Sequence, residues 1–203
     1  MTYSDTFFLI LTFDLLLIAC LKAFYQKFTK QLFLSVFAQR YANQYLKEEN
    51  VFTERVTFLI TTIMLINISL FLSRAIYGEN LTPFNFWNVA IIIIVFFLIK
   101  TIIIRLLGHL FLIKSLAKLG IYFSFLFDRI MGVILFPIIV FMFFSPINTS
   151  PILLTFSVVI IALFLLIKIF WIWKIGISDF GLSKYYLFLY LCTLEILPLL
   201  VFT

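Results

Sequence analysis

Charged residues are scarce in this chain, which has 203 residues and only 12% Asp, Glu, Lys and Arg. Soluble globular domains contain roughly 25%. The hydrophobic share is 65%, so a soluble fold of this length would expose large apolar surfaces to water. Disorder is excluded as well, because it requires low hydrophobicity. The composition therefore predicts an integral membrane protein with the lipid bilayer as its solvent.

Histidine and cysteine are nearly absent, with His109 as the single histidine and Cys20 and Cys192 as the two cysteines. Both cysteines fall within apolar segments, which argues against a structural disulfide. These residues give no metal-ligand spacing, and they form no Ser/His/Asp or Cys/His set for nucleophilic catalysis. We therefore predict no catalytic residues, no metal site, no cofactor and no enzymatic activity.

Long apolar segments fill most of the chain. A transmembrane helix needs roughly 20 predominantly apolar residues, and six segments meet that length. The predicted fold is all-α, a polytopic membrane protein with six transmembrane helices that form one integral membrane domain over residues 1–203. The predicted spans cover residues of about 6–23, 56–76, 85–107, 120–144, 151–173 and 184–202.

The basic residues are distributed unevenly between the two sides of these spans. Of the 15 lysines and arginines, all but Arg74 and Arg129 lie in or beside the connections that follow the first, third and fifth spans. By the positive-inside rule those connections are cytoplasmic, so both termini are extracytoplasmic. The net charge of +6 is thus explained by topology, and we predict no binding of nucleic acid. The opposite connections are short, as at Gly78–Pro83, and rich in turn residues.

The first cytoplasmic connection contains a candidate amphipathic helix. Phe33, Phe37, Tyr41 and Tyr45 recur every four residues there. Such a helix would lie in the inner membrane interface, with its aromatic side among acyl chains. The alternative is that the first span continues into the cytoplasm as a packed helix.

Placing an ionisable side chain within a membrane span costs free energy, so such residues usually form pairs inside the protein or have a function. Asp14 and Glu195 lie near mid-membrane and would share a proton if the first and last spans are neighbours. Alternatively, either acid would pair with Arg129 as a structural contact. Lys100 and Lys168 are expected to snorkel to the inner interface. The intramembrane candidates are Asp14, Asp128, Arg129 and Glu195.

Proline and small residues mark the fourth and sixth spans. Pro198 leaves the Leu194 carbonyl without its helical donor, so a polar notch forms beside Glu195. The notch suits a cation, a proton, water or a partner side chain, although a protonated Glu195 that bonds a neighbouring helix explains it slightly better. In the fourth span Pro137 has the same effect, and we interpret Gly132 as a close-packing contact.

The ending YLCTLEILP at Tyr190–Pro198 resembles an uncharacterised family of multi-pass inner-membrane proteins from Bacteroidetes, known only as a domain of unknown function. The last helix of that family carries a YLC-x-LE-x-x-P signature. The resemblance implies a location in the bacterial inner membrane, and it marks Tyr190, Cys192, Glu195 and Pro198 as candidate functional positions. It implies no activity, although restriction to one phylum suggests envelope machinery such as secretion or gliding.

Two functions remain from these observations. We expect a non-catalytic subunit or assembly factor of a larger membrane complex, whose partners are other integral membrane proteins. The alternative is a proton- or ion-coupled carrier or a lipid transporter that uses the four intramembrane candidates. An intramembrane enzyme acting on lipid-linked substrates would need more charged residues at the cytoplasmic interface than the chain provides.

Overall fold

The computed structural model describes residues 3–36, 51–110, 114–144 and 150–178. These residues form six α-helices and one 3₁₀ turn, with no strand among them. The helices are α1 Tyr3–Phe24, α2 Gln26–Ser35, α3 Val51–Tyr77, α4 Pro83–Leu110, α5 Lys114–Phe144 and α6 Ser150–Ser178, and the 3₁₀ turn is Gly78–Asn80.

Five of these helices contain a segment long and apolar enough to cross a membrane, and these segments fall on the first five predicted spans. The prediction of all-α structure is confirmed for the described residues, which belong to a multi-pass membrane protein. The sixth predicted span, 184–202, lies outside the described residues. The spanning segments are Asp5–Phe24, Phe52–Tyr77, Pro83–Leu106, Ser124–Phe144 and Ile152–Trp171.

The chain divides into two compact units. The first contains Met1–Phe96 and Leu126–Val159, and the second contains Phe97–Phe125 and Ile160–Thr203. In the first unit α3 supplies the most deeply buried side chains, among them Ile60, Ile63 and Met64, each with no exposed surface. Side chains of α5 complete this core, including Leu126, Leu135 and Ile139.

Helix α1 buries a single stripe of side chains. Phe7, Leu11, Asp14 and Leu21 are each at most 6% exposed, and their spacing of three, four and seven residues places them on one face of the helix. This face is the side on which α1 contacts its neighbours. Phe7 packs edge-on against Phe86 of α4 and tilted against Phe143 of α5, with ring centroids 6.3 and 5.2 Å away.

The chain bends at Tyr25 between α1 and α2. Two backbone hydrogen bonds continue across the bend, from Tyr25 N–H to the Leu21 carbonyl and from Thr29 N–H to the Tyr25 carbonyl. Helix α2 buries Leu32, and Phe28 stacks on Phe52 at the start of α3, with 6.2 Å between ring centroids. For residues 26–35 the structure therefore favours a packed helix that follows the first span. Phe37, Tyr41 and Tyr45 lie outside the described residues.

The predicted turn at Gly78–Pro83 is confirmed. Gly78 has φ of +54°, a left-handed conformation that glycine adopts without steric cost. Arg74 Nη1 donates a hydrogen bond of 2.6 Å to the Gly78 carbonyl, and this bond caps the end of α3. Helix α4 then begins at Pro83, and Asn85 N–H donates to Thr82 Oγ1 at 3.3 Å.

Candidate intramembrane site

Asp14 lies at the middle of the apolar segment of α1 and has no exposed surface. Neither of its carboxyl oxygens accepts a hydrogen bond from any residue that the structure describes. Most buried polar atoms in folded proteins have a hydrogen-bond partner, so this side chain is exceptional. Its position in the buried stripe means that the carboxyl is directed into the bundle, toward α3.

The polar neighbour of Asp14 is Asn67, on the facing helix α3. The Asn67 side chain lies beside the carboxyl, but no hydrogen bond of regular geometry joins the two. Asn67 is itself fully buried. Its Nδ2 donates a hydrogen bond of 3.0 Å to the Gly132 carbonyl on α5, whereas its Oδ1 has no partner among the described residues. Asn67 thus lies beside the α1 carboxyl and bonds the α5 backbone.

Gly132 is the point at which α3 and α5 approach closely. A Cβ atom on Gly132 would lie 2.6 Å from Met64 Cα and 2.9 Å from Met64 Cβ, so no side chain fits between the two backbones. The interpretation of Gly132 as a close-packing contact is confirmed. Small residues of this kind are common where membrane helices meet, and here the contact also brings the Gly132 carbonyl within reach of Asn67.

Arg129 lies three residues before Gly132 on α5 and contacts α3 through a hydroxyl. Its Nε donates a hydrogen bond of 2.9 Å to Thr61 Oγ1, and Thr61 Oγ1 donates in turn to the Thr57 carbonyl at 2.6 Å. Asp14 accepts no hydrogen bond from Arg129 or any other described residue, so the structure does not support the alternative in which these two side chains pair. The structure thus assigns Arg129 to a helix–helix contact beside the Asp14–Asn67 neighbourhood.

The other predicted residues separate into two groups. Asp128 is buried, at 8% exposure, and belongs to the first unit. Glu195 lies outside the described residues, as do Tyr190, Cys192 and Pro198. The predicted proximity of Asp14 and Glu195 therefore stays a prediction. Among the described residues no group of three or more His, Cys, Asp or Glu side chains is placed to hold a metal ion.

The structure buries two lysines that were expected at the interface, and it adds Asn67 to the candidate site. Lys100 is 4% exposed and Lys168 is 1% exposed, so the expectation that both side chains snorkel to the interface is wrong. Lys100 Nζ lies 5.8 Å from the centre of the Phe125 ring, a distance at which a cation is attracted to the aromatic face. Asn67 carries no charge, so its place within an apolar span does not mark it as an ionisable candidate.

Threonine hydroxyls in the other spans form bonds within their own helices. Thr61, Thr62 and Thr101 donate to the carbonyls of Thr57, Phe58 and Phe97, at 2.6, 3.0 and 2.9 Å. Such bonds to the preceding turn use the hydroxyl donor within its own helix, and Thr61 Oγ1 in addition accepts the bond from Arg129 of α5. The donors of these threonines are therefore occupied and are not offered to a solute.

The described helices, with Asp14 and Asn67 buried between them, define a multi-pass helical membrane protein with an ionisable group in the middle of a span. The sequence matches the family described as a domain of unknown function, DUF4271, over residues 7–203. The chain therefore belongs to this family. No curated protein and no solved structure matches it.

Proposed function

We propose that the protein is a proton-responsive, non-catalytic subunit of a larger complex in the bacterial inner membrane, and that Asp14 is the group that binds the proton. The observation that carries the proposal is the complete burial of Asp14 without a hydrogen bond to either oxygen from any described residue. Envelope machinery such as secretion or gliding is the setting that the family resemblance suggests for such a subunit.

The chemistry of a buried carboxyl supports proton binding. An ionised carboxylate without a partner is costly away from water, whereas the neutral acid is tolerated. Asp14 occupies a position of the α1 stripe that Phe7, Leu11 and Leu21 share, where an apolar side chain would pack at no such cost. A carboxyl at this position is therefore better explained by function than by stability.

Asn67 provides a way for the bundle to respond to the proton. A neutral Asp14 has an O–H to donate, and the neighbouring Asn67 side chain has an Oδ1 with no partner among the described residues. An ionised Asp14 is an acceptor only and attracts the Asn67 amide NH2, which has two N–H donors; one of these donors bonds the Gly132 carbonyl. Release of the proton therefore draws the Asn67 side chain toward α1 and alters its contact with α5. The movement that follows would be passed to neighbouring subunits.

A self-contained proton- or ion-coupled carrier, or a lipid transporter, is the alternative. It would need donors and acceptors directed toward a pathway, whereas the hydroxyls of Thr61, Thr62 and Thr101 donate within their own helices. This arrangement favours a subunit whose partner uses the movement. We further propose six spans with both termini outside, so that Glu195 lies at the depth of Asp14 and shares its proton.

Infrared spectroscopy tests the proton-binding step. The C=O stretch of a protonated carboxylic acid is distinct from that of a carboxylate, and we expect Asp14→Asn to remove one protonated carboxyl from the spectrum. Asp5→Asn makes the same chemical change at an exposed position of the same helix and serves as the matched control. An unchanged band in Asp14→Asn would show that Asp14 holds no proton.

Affinity purification from native membranes in gentle detergent tests the subunit role. We expect a stoichiometric companion, whose retention depends on pH in the wild type and no longer depends on pH in Asp14→Asn. A monodisperse protein that purifies alone would contradict the subunit role. Proton flux through proteoliposomes that contain only this chain would instead support the self-contained carrier.

A further inference from the structure

A groove lies where the bend between α1 and α2 meets the first turns of α3. It has a volume of about 410 Å³ and is lined by Tyr25, Glu54, Arg55, Phe58 and Leu59, all within the first unit. Ligand sites commonly have volumes of roughly 300–1,000 Å³. The wall is mainly apolar, and its largest apolar side chain, Phe58, is 72% exposed.

The groove lies at the level where apolar spans end. The spanning segment of α1 ends at Phe24, one residue before Tyr25, and that of α3 begins at Phe52, just before Glu54 and Arg55. This is the depth at which acyl chains give way to headgroups in a bilayer. An apolar wall with charged residues at its edge matches the two parts of a phospholipid molecule.

Among the described residues, the charged side chains on the last turn of α1 and on α2 are all basic. Lys22, Lys27 and Lys30 are exposed on the last turn of α1 and on α2, and Arg55 forms part of the wall. Lys27 Nζ lies 5.9 Å from the centre of the Phe28 ring, and that ring stacks on Phe52 at the start of α3. The lysine thus contacts a ring that itself packs on the start of α3. Glu54 is the one opposing charge in the wall.

We propose that this groove binds one molecule of an anionic phospholipid whose headgroup carries hydroxyl groups, as in phosphatidylglycerol. The phosphate lies at Arg55, the hydroxyls donate to the Glu54 carboxylate, and one acyl chain lies along Phe58 and Leu59. Guanidinium groups recognise phosphate through charge-assisted hydrogen bonds, and a carboxylate is an acceptor for hydroxyl donors. The proposal uses no residue of the Asp14 site and stands independently of the proposed function.

Native mass spectrometry of the full chain measures the lipid that remains bound when phosphatidylglycerol and phosphatidylcholine with the same acyl chains are offered. We expect preferential retention of phosphatidylglycerol by the wild type. Removal of one basic residue near a membrane surface weakens binding of anionic lipid about fivefold, so we expect Arg55→Gln to reduce retention by about that factor. Arg105→Gln, at an exposed position of α4, is the matched control and should leave retention unchanged.

A second variant tests the apolar wall. Phe58 is largely exposed, so Phe58→Ala leaves the core intact and should reduce retention of phosphatidylglycerol even if Arg55→Gln does not fold. Equal retention of the two lipids by the wild type would overturn the proposal. So would an equal loss in Arg55→Gln and Arg105→Gln, or displacement of the lipid by inorganic phosphate, which would indicate a simple anion site.

Discussion

Replacement of Gly132 by alanine is the most direct test of the packing that holds the candidate site. The added Cβ would lie 2.6 Å from Met64 Cα and 2.9 Å from Met64 Cβ, so α3 and α5 must separate before the variant can fold. The nearest atom belongs to the backbone, and no change of side-chain rotamer moves it. Separation also lengthens the hydrogen bond from Asn67 to the Gly132 carbonyl, which is 3.0 Å in the wild type.

Three effects determine the size of the change. Overpacking of a tight core costs about 1–3 kcal/mol, and an interhelical hydrogen bond in a membrane protein contributes on average about 0.6 kcal/mol. Against these losses, alanine is favoured over glycine within a helix by about 1 kcal/mol. The steric effect is the largest, so we expect Gly132→Ala to lower the free energy of unfolding by about 0.6–2.6 kcal/mol.

The assay is unfolding in mixed micelles by titration with a denaturing detergent, followed by circular dichroism. Met64→Ala and the double variant complete a double-mutant cycle. Because the closest contact is with Met64 Cα, truncation of the Met64 side chain should not rescue Gly132→Ala, and the coupling energy should stay within about 0.5 kcal/mol. A Gly132→Ala variant as stable as the wild type, or a full rescue by Met64→Ala, would refute this account of the helix contact.

Two further predictions concern the end of α3 and the orientation of the chain. Arg74→Ala removes the charged donor to the Gly78 carbonyl and should lower the free energy of unfolding by about 1.5 kcal/mol. An unchanged free energy of unfolding in the same detergent titration would show that this hydrogen bond is not stabilising. The orientation can be tested in a background without native cysteines. Asn80→Cys should react with a membrane-impermeant maleimide in intact spheroplasts, whereas Lys27→Cys should react only after permeabilisation. The reverse pattern would show that the proposed topology is inverted.

Spans and turns of this protein were predictable because they depend on local composition. Five predicted spans coincide with described helices because roughly 20 consecutive apolar residues have few alternatives to a helix in lipid. The turn at Gly78–Pro83 followed from a glycine that adopts positive φ and a proline at the first position of a helix. Gly132 was also interpreted correctly, since a small residue within an apolar span usually marks a helix contact.

Residues of the site were harder to predict because their roles depend on which helices are neighbours. Asp14 and Asn67 belong to helices separated by the α2 segment, and nothing in the sequence states that α1 packs on α3. Charges were expected to pair with charges, so Asp14 was considered with Arg129 and Glu195. The neighbour that the structure describes is a neutral amide, and Arg129 donates to the Thr61 hydroxyl instead.

Lys100 shows why burial is difficult to infer from an apolar span. The buried residues Phe86, Ala90, Ile93, Lys100 and Ile104 of α4 are separated by three, four or seven positions, the spacing of one helix face. The opposite face is equally apolar, as Ile91, Leu98 and Ile102 are each more than half exposed. Hydropathy therefore has no helical period along α4. The exposure of Lys100 could be judged only from its distance to the end of the span. In a soluble helix the polar face would have revealed the buried stripe, and Lys100 would have been recognised as lying within it.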